Sequence, residues 1–143
     1  MLDDSQRSKQ DCAPILIVHL DTTLRGMMKE VFELEGYDTQ ETGRGPEALR
    51  LLQAAKDGMI VYLEPLFLRV GGNERLRDYV MGRGPHTPHV FILLAALADP
   101  QAAIARLRAD GYLALPFTGE QLLTSVEDAQ RLLLAKRIPP TIH

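Results

Sequence analysis

The chain has 143 residues, 45% of them hydrophobic and 24% charged, with a formal net charge of −3. Those values fit one globular domain and exclude a disordered chain, a collagen-like repeat and a disulfide scaffold. The charge argues against a sequence-independent hold on nucleic acid, which needs many phosphate contacts. The longest apolar run, Val90–Ala98, falls well short of the roughly 20 residues of a membrane-spanning helix, Cys12 has no intrachain partner, and residues 1–13 show no signal-peptide pattern. The expectation is a soluble cytoplasmic domain with no membrane contact and no direct nucleic-acid contact.

In chain order, residues 1–13 are polar and aperiodic and read as a flexible lead-in. Ile15–Val18 lacks alternation, as expected of a strand buried on both faces. A helix is predicted from Thr22 to Glu35, with Leu24, Met27, Val31 and Leu34 facing in, Asp21 or Thr22 as cap and Gly36 as stop. Tyr37–Thr42 alternates and reads as a strand near an edge. Gly45-Pro46 opens a second helix through Leu52 and Ala55, and Met59–Leu63 is a third strand. Residues 64–72 read as a loop, and residues 73–80 as a short helix with Leu76, Tyr79 and Val80 inward. Val90–Leu94 is the fourth strand. Asp99-Pro100 caps a helix carrying Ala103, Ile104 and Leu107, ended by Gly111, and Tyr112–Leu115 is the fifth strand. Thr118-Gly-Glu-Gln121 is a capping box for a last helix whose inner face is Leu122, Val126, Ala129 and Leu133. The domain is expected over residues 14–134, followed by a loose tail over residues 135–143. Strands alternating with helices predict an α/β fold with a parallel sheet.

In such sheets ligands bind beyond the carboxyl ends of the strands. The residues there are His19 and Leu20, Glu64, Ala95 and Ala96, and Leu115–Phe117, which include one carboxylate and one imidazole. Ile15-Leu-Ile-Val-His-Leu-Asp-Thr-Thr-Leu-Arg25, Gly36-Tyr37 with Glu47-Ala-Leu-Arg-Leu-Leu52, and Asp110-Gly-Tyr-Leu-Ala-Leu-Pro-Phe117 resemble the receiver domains of two-component response regulators, over about Pro14–Leu134. The resemblance implies a flavodoxin-like (CheY-like) doubly wound sheet of order 2-1-3-4-5 with helices on both faces. It also implies a cis bond before Pro116.

Each reactive position of that family is altered. His19 and Leu20 stand where two acidic residues hold Mg²⁺. Glu64 replaces the phosphate-accepting aspartate, Ala95 the hydroxyl residue and Leu115 the lysine. Mg²⁺ needs clustered hard oxygens, and Pro65 constrains the loop where the family offers a carbonyl ligand. The resemblance therefore implies a degenerate pseudo-receiver with no Mg²⁺ and no other cofactor, and with no catalytic residue.

Glu64 reads either as a permanent mimic of a phosphorylated aspartate or as a polar residue tolerated at the loop mouth. His19 reads as a metal ligand or pH-sensitive group, or as a hydrogen-bond partner of Glu64 or a loop carbonyl. His86 and His89 have a spacing loosely like a metal pair, but turn chemistry accounts for them. Gly43-Arg-Gly45 lacks the full glycine fingerprint of a nucleotide loop. At Tyr112 the family's aromatic turns in or out with the state of the hydroxyl residue. With Ala95 beneath it, Tyr112 reads as an aromatic held permanently inward or as an ordinary half-buried strand residue.

The leading expectation is a non-enzymatic, stand-alone module of phosphorelay signalling that acts through protein contacts. Its partner would be a sensor kinase, an output protein or a second copy of the chain, met through the face of the fourth helix, fifth strand and fifth helix. That face would carry Arg106, Arg108, Asp110, Tyr112, Glu127 and Arg131. No output domain is seen after Leu134. The alternatives are a small-molecule sensor using the vacated pocket and a receiver phosphorylated on another acceptor.

Overall fold

The computed structural model describes residues 12–82 and 88–137. His86, most of the expected lead-in and the last six residues of the expected tail lie outside them. The continuous apolar runs become the inner strands β1 (Ile15–Val18), β3 (Ile60–Leu63) and β4 (Val90–Ala95). The more polar β2 (Thr39–Thr42) and the short β5 (Gly111–Ala114) take the edges. The sheet is parallel, in the order β2-β1-β3-β4-β5, and its register sets Val18 opposite Thr42 and Leu63, and Leu63 opposite Leu93. The expected flavodoxin-like arrangement is present.

The helices are α1 (Thr22–Leu34), α2 (Gly45–Ala54), α3 (Glu74–Gly82), α4 (Pro100–Leu107) and α5 (Gly119–Arg137), and a 3₁₀ turn spans Pro65–Arg69. Alternate residues of each inner strand feed two cores. Ile15, Ile17 and Tyr62 pack with α1 and α5, while Leu16, Val18, Val61 and Leu63 pack with α2, α3 and α4. The capping signals act as expected. The Asp21 carboxylate accepts the Thr23 and Leu24 amides, and Thr118 and Gln121 exchange side-chain bonds with each other's amides.

Four local expectations are corrected. In α1 the buried residues are Met28 and Phe32, while Met27 and Leu34 face solvent. Leu24 and Val31 of the expected face do pack, partly buried, against the same core, so the buried face is turned from the expected one and not replaced. Helix α4 is ended by Arg108 in the left-handed conformation (φ 55°), and Gly111 begins β5 instead. The last helix continues to Arg137, past the expected domain end at Leu134. Ala13, placed in the lead-in, is buried and exchanges two hydrogen bonds with the Gln130 side chain.

Candidate functional site

The carboxyl ends of β1, β3 and β4 lie side by side, so the residues that follow them meet. His19 continues β1 and is buried, at 5% exposure. Its Nδ1 accepts the Asp21 amide at 2.9 Å, which puts the ring's proton on Nε2. That nitrogen lies 3.1 Å from Glu64 Oε2, a close contact that is not a well-directed hydrogen bond. Glu64 Oε1 accepts the Leu20 amide at 3.4 Å. The Glu64 backbone is held on both sides, its amide donating to the Val18 carbonyl and its carbonyl accepting from Phe67 in the 3₁₀ turn that Pro65 opens. The side chain of Glu64 thus reaches across from β3 to the β1 loop and lies against the site's imidazole.

Mg²⁺ takes several hard oxygens, and the side chains around His19 and Glu64 offer few. Among the described residues no group of three His, Cys, Asp or Glu side chains is placed to hold a metal ion. Glu64 supplies one carboxylate, already engaged by Leu20, and the His19 nitrogen facing it carries a proton. Asp21 is turned to its helix cap. Leu20 is exposed, while Leu115 packs, partly buried, against the core under α5. Ala95 adds no side-chain polar atom.

On the other side of the site, the Tyr112 hydroxyl donates to the Ala95 carbonyl at 2.6 Å and accepts the Leu97 amide at 3.0 Å. The ring is half-buried and its hydroxyl reaches the loop between β4 and α4. The Leu115–Pro116 bond is cis.

The face proposed from sequence is partly rearranged. Arg106 and Arg108 are exposed on and just after α4. Asp110 turns away from display, its carboxylate pairing with Lys136 at 3.0 Å and accepting the Phe91 amide at 2.9 Å. Arg131 pairs with Asp128 one turn earlier in α5. Glu127 is exposed on α5. Its charge adds to the burial that pushes the Tyr37 phenol up to about 12. A groove of about 400 Å³ between β5 and α5 is lined instead by Tyr112, Ala114, Pro116, Gln121, Thr124 and Asp128.

Two residues that hold the region together, Arg25 and Asn73, were not singled out from sequence, and a third, His89, was weighed there only as half of a metal pair. Arg25 donates to the His19 carbonyl at 2.6 Å and pairs with Glu41 on β2, tying α1 to both strands. Gly43 makes room for it, since a Cβ there would lie 2.8 Å from Arg25 Nη1. Asn73 joins the Gly45 amide to the Phe67 carbonyl. His89 is wholly buried, accepting from the Met59 amide and bonding the Leu52 carbonyl, so it is a structural strut. A glycine beside a turn was the available signal for Arg25. A buried polar side chain such as Asn73 leaves none in a single sequence.

No protein-family model matches the chain. It is 27% identical over 113 residues to the transcriptional regulatory protein CpxR of Klebsiella pneumoniae, an alignment covering 78% of this chain and 47% of that protein. The chain spans about half the length of the curated relatives it matches. Among solved structures, the chemotaxis response regulator CheY4 of Vibrio cholerae has a TM-score of 0.65 at 22% identity, covering 82% of this chain and 98% of that one. A protein of Chloroflexus aurantiacus assigned as a response regulator has a TM-score of 0.65 at 27% identity, covering 85% and 99%.

Proposed function

From the receiver-domain fold that the chain shares with response regulators of two-component signalling, we propose that it is a pseudo-receiver. It keeps the signalling scaffold, does not take phosphate at the usual position, needs no Mg²⁺, catalyses nothing and works by protein contact in the cytoplasm. The observation that carries this reading is the Glu64 side chain, bound to the Leu20 amide and lying against a protonated His19 nitrogen. A phosphoryl group arriving there would meet the Glu64 carboxylate and an apolar Leu115, and the nearby Arg25 guanidinium is already paired with Glu41. Chain similarity to CpxR and to chemotaxis regulators supports a signalling role. The partner is a kinase, an output protein or a second copy, approached through α4, β5 and α5, where Arg106, Arg108, Tyr112 and the Asp128–Arg131 pair form a mixed-charge surface. Among the described residues no helix is long and apolar enough to cross a membrane.

Incubation with acetyl phosphate and Mg²⁺, followed by intact mass measurement, tests the reading. The mass is expected to stay unchanged. A stable gain of one phosphoryl group at Glu64 or Asp21 would end it.

A further inference from the structure

Strand β5 is four residues long and lies at the edge of the sheet, so its side chains can serve the neighbouring loop as well as the core. Tyr112 does this through its hydroxyl. A phenol has one proton to give and lone pairs with which to accept, and both functions are spent on one loop: the Ala95 carbonyl at 2.6 Å and the Leu97 amide at 3.0 Å. Ala95 offers no hydroxyl that could compete for the phenol. The same Ala95 carbonyl takes a further bond from the Leu115 amide at 3.4 Å. Ala96 and Ala98 are exposed and have only methyl side chains, and the Asp99 carboxylate is directed forward to the Ala102 amide as the cap of α4. The backbone between β4 and α4 is therefore held at its middle by Tyr112 and at its end by the cap.

The geometry points to Tyr112 as a built-in brace that keeps this loop, and the α4–β5 face beside it, in one conformation without a phosphoryl group or a metal. This rests on the pseudo-receiver reading and adds how such a chain is regulated. With the face preset, its output depends on how much chain and partner are present and not on a covalent change in the domain. The brace is a positioning role: Tyr112 acts through the loop backbone.

Amide exchange and NMR on the ¹⁵N-labelled full chain test it. In the native protein the Leu97 amide is expected to be protected and to show a contact with the Tyr112 ring. Tyr112→Phe keeps the ring and removes the hydroxyl, and should speed Leu97 exchange about tenfold or more, the effect of losing a hydrogen bond to a partly buried amide. Amides of β1 and of the inner face of α5 should be unmoved. Beryllofluoride with Mg²⁺, a stand-in for the phosphoryl group, should change neither the Tyr112 nor the Leu97 signals. Unaltered Leu97 exchange in Tyr112→Phe overturns the brace, as does the absence of the ring-to-amide contact in the native chain, which decides the matter even if the variant does not fold. A beryllofluoride-induced shift of Tyr112 and Leu97 overturns instead the pseudo-receiver reading beneath it.

Discussion

His19 has two nitrogens with opposite duties, and the backbone assigns them. Because Nδ1 accepts the Asp21 amide, the proton sits on Nε2, towards Glu64. Nitrogen NMR of the folded chain should show an unprotonated Nδ1 and a protonated Nε2, and the reverse tautomer would overturn the site as described. Glu64→Gln keeps an acceptor for the Leu20 amide while removing the charge 3.1 Å from Nε2, so the His19 ring resonances should shift with the fold intact. Glycine is required at Gly58 for two reasons. Its φ is +95°, and an added Cβ would lie 2.2 Å from the Pro88 carbonyl, which is backbone and cannot swing aside. Gly58→Ala should destabilise the chain by on the order of 2–3 kcal/mol in urea unfolding, the size of a strained non-glycine conformation plus displaced backbone. A loss below about 0.5 kcal/mol, the ordinary effect of a surface substitution, would show that this turn relaxes freely.

Among the elements, α5 is tied to the sheet by more than its apolar stripe. Lys136 in its last turn donates to the His89 carbonyl at 2.9 Å and pairs with Asp110, whose other oxygen accepts the Phe91 amide. The two ends of this link differ in consequence. Lys136→Ala removes a partly exposed pair and should lower stability by about 1 kcal/mol or less, and by less again at high salt. Asp110→Ala also strips the Phe91 amide of its acceptor at the start of β4 and should lower stability by about 1–3 kcal/mol. Equal losses in the two variants would contradict this. Helix α1 carries a different lesson. Its apolar residues are spread widely enough that Leu24 and Val31 flank the buried face at its edge while Met27 and Leu34 face solvent, and the centre falls to Met28 and Phe32, with Tyr62 and Tyr37 opposite Phe32.

At the scale of the whole molecule, the core under α1 and α5 holds phenols whose ionisation opposes folding. Burial pushes Tyr62 well above its usual range, against the smaller opposite effect of its bond to Ser125, and pushes Tyr37 up to about 12. Both are harder to ionise folded than unfolded. The stability they contribute is complete below their unfolded value near 10 and is lost as pH rises through the folded values. The melting temperature should therefore fall as pH is raised above about 10, and Tyr62→Phe, though less stable at neutral pH, should show a shallower fall. Parallel slopes for the two proteins would contradict this.

Much of the architecture was legible in one dimension. Continuous apolar runs marked β1, β3 and β4, alternation with helical patterns implied a parallel sheet, and Thr118-Gly-Glu-Gln121 announced the start of α5, because these signals depend on neighbours close in sequence. The strand order and the altered positions at His19, Leu20, Glu64, Ala95 and Leu115 came from resemblance to receiver domains. What each side chain there touches did not. Whether Glu64 faces solvent or the Leu20 amide, and whether Asp110 is displayed or drawn to Lys136, depend on groups 44 and 26 residues away in the chain. The sequence by itself determined the layers and the strands. Only the tertiary structure decided that Glu64 reaches the Leu20 amide and lies against His19, and that Tyr112 reaches across to the Ala95–Leu97 loop, since such contacts form between groups that packing brings within about 3 Å, and local pattern carries no record of those distances.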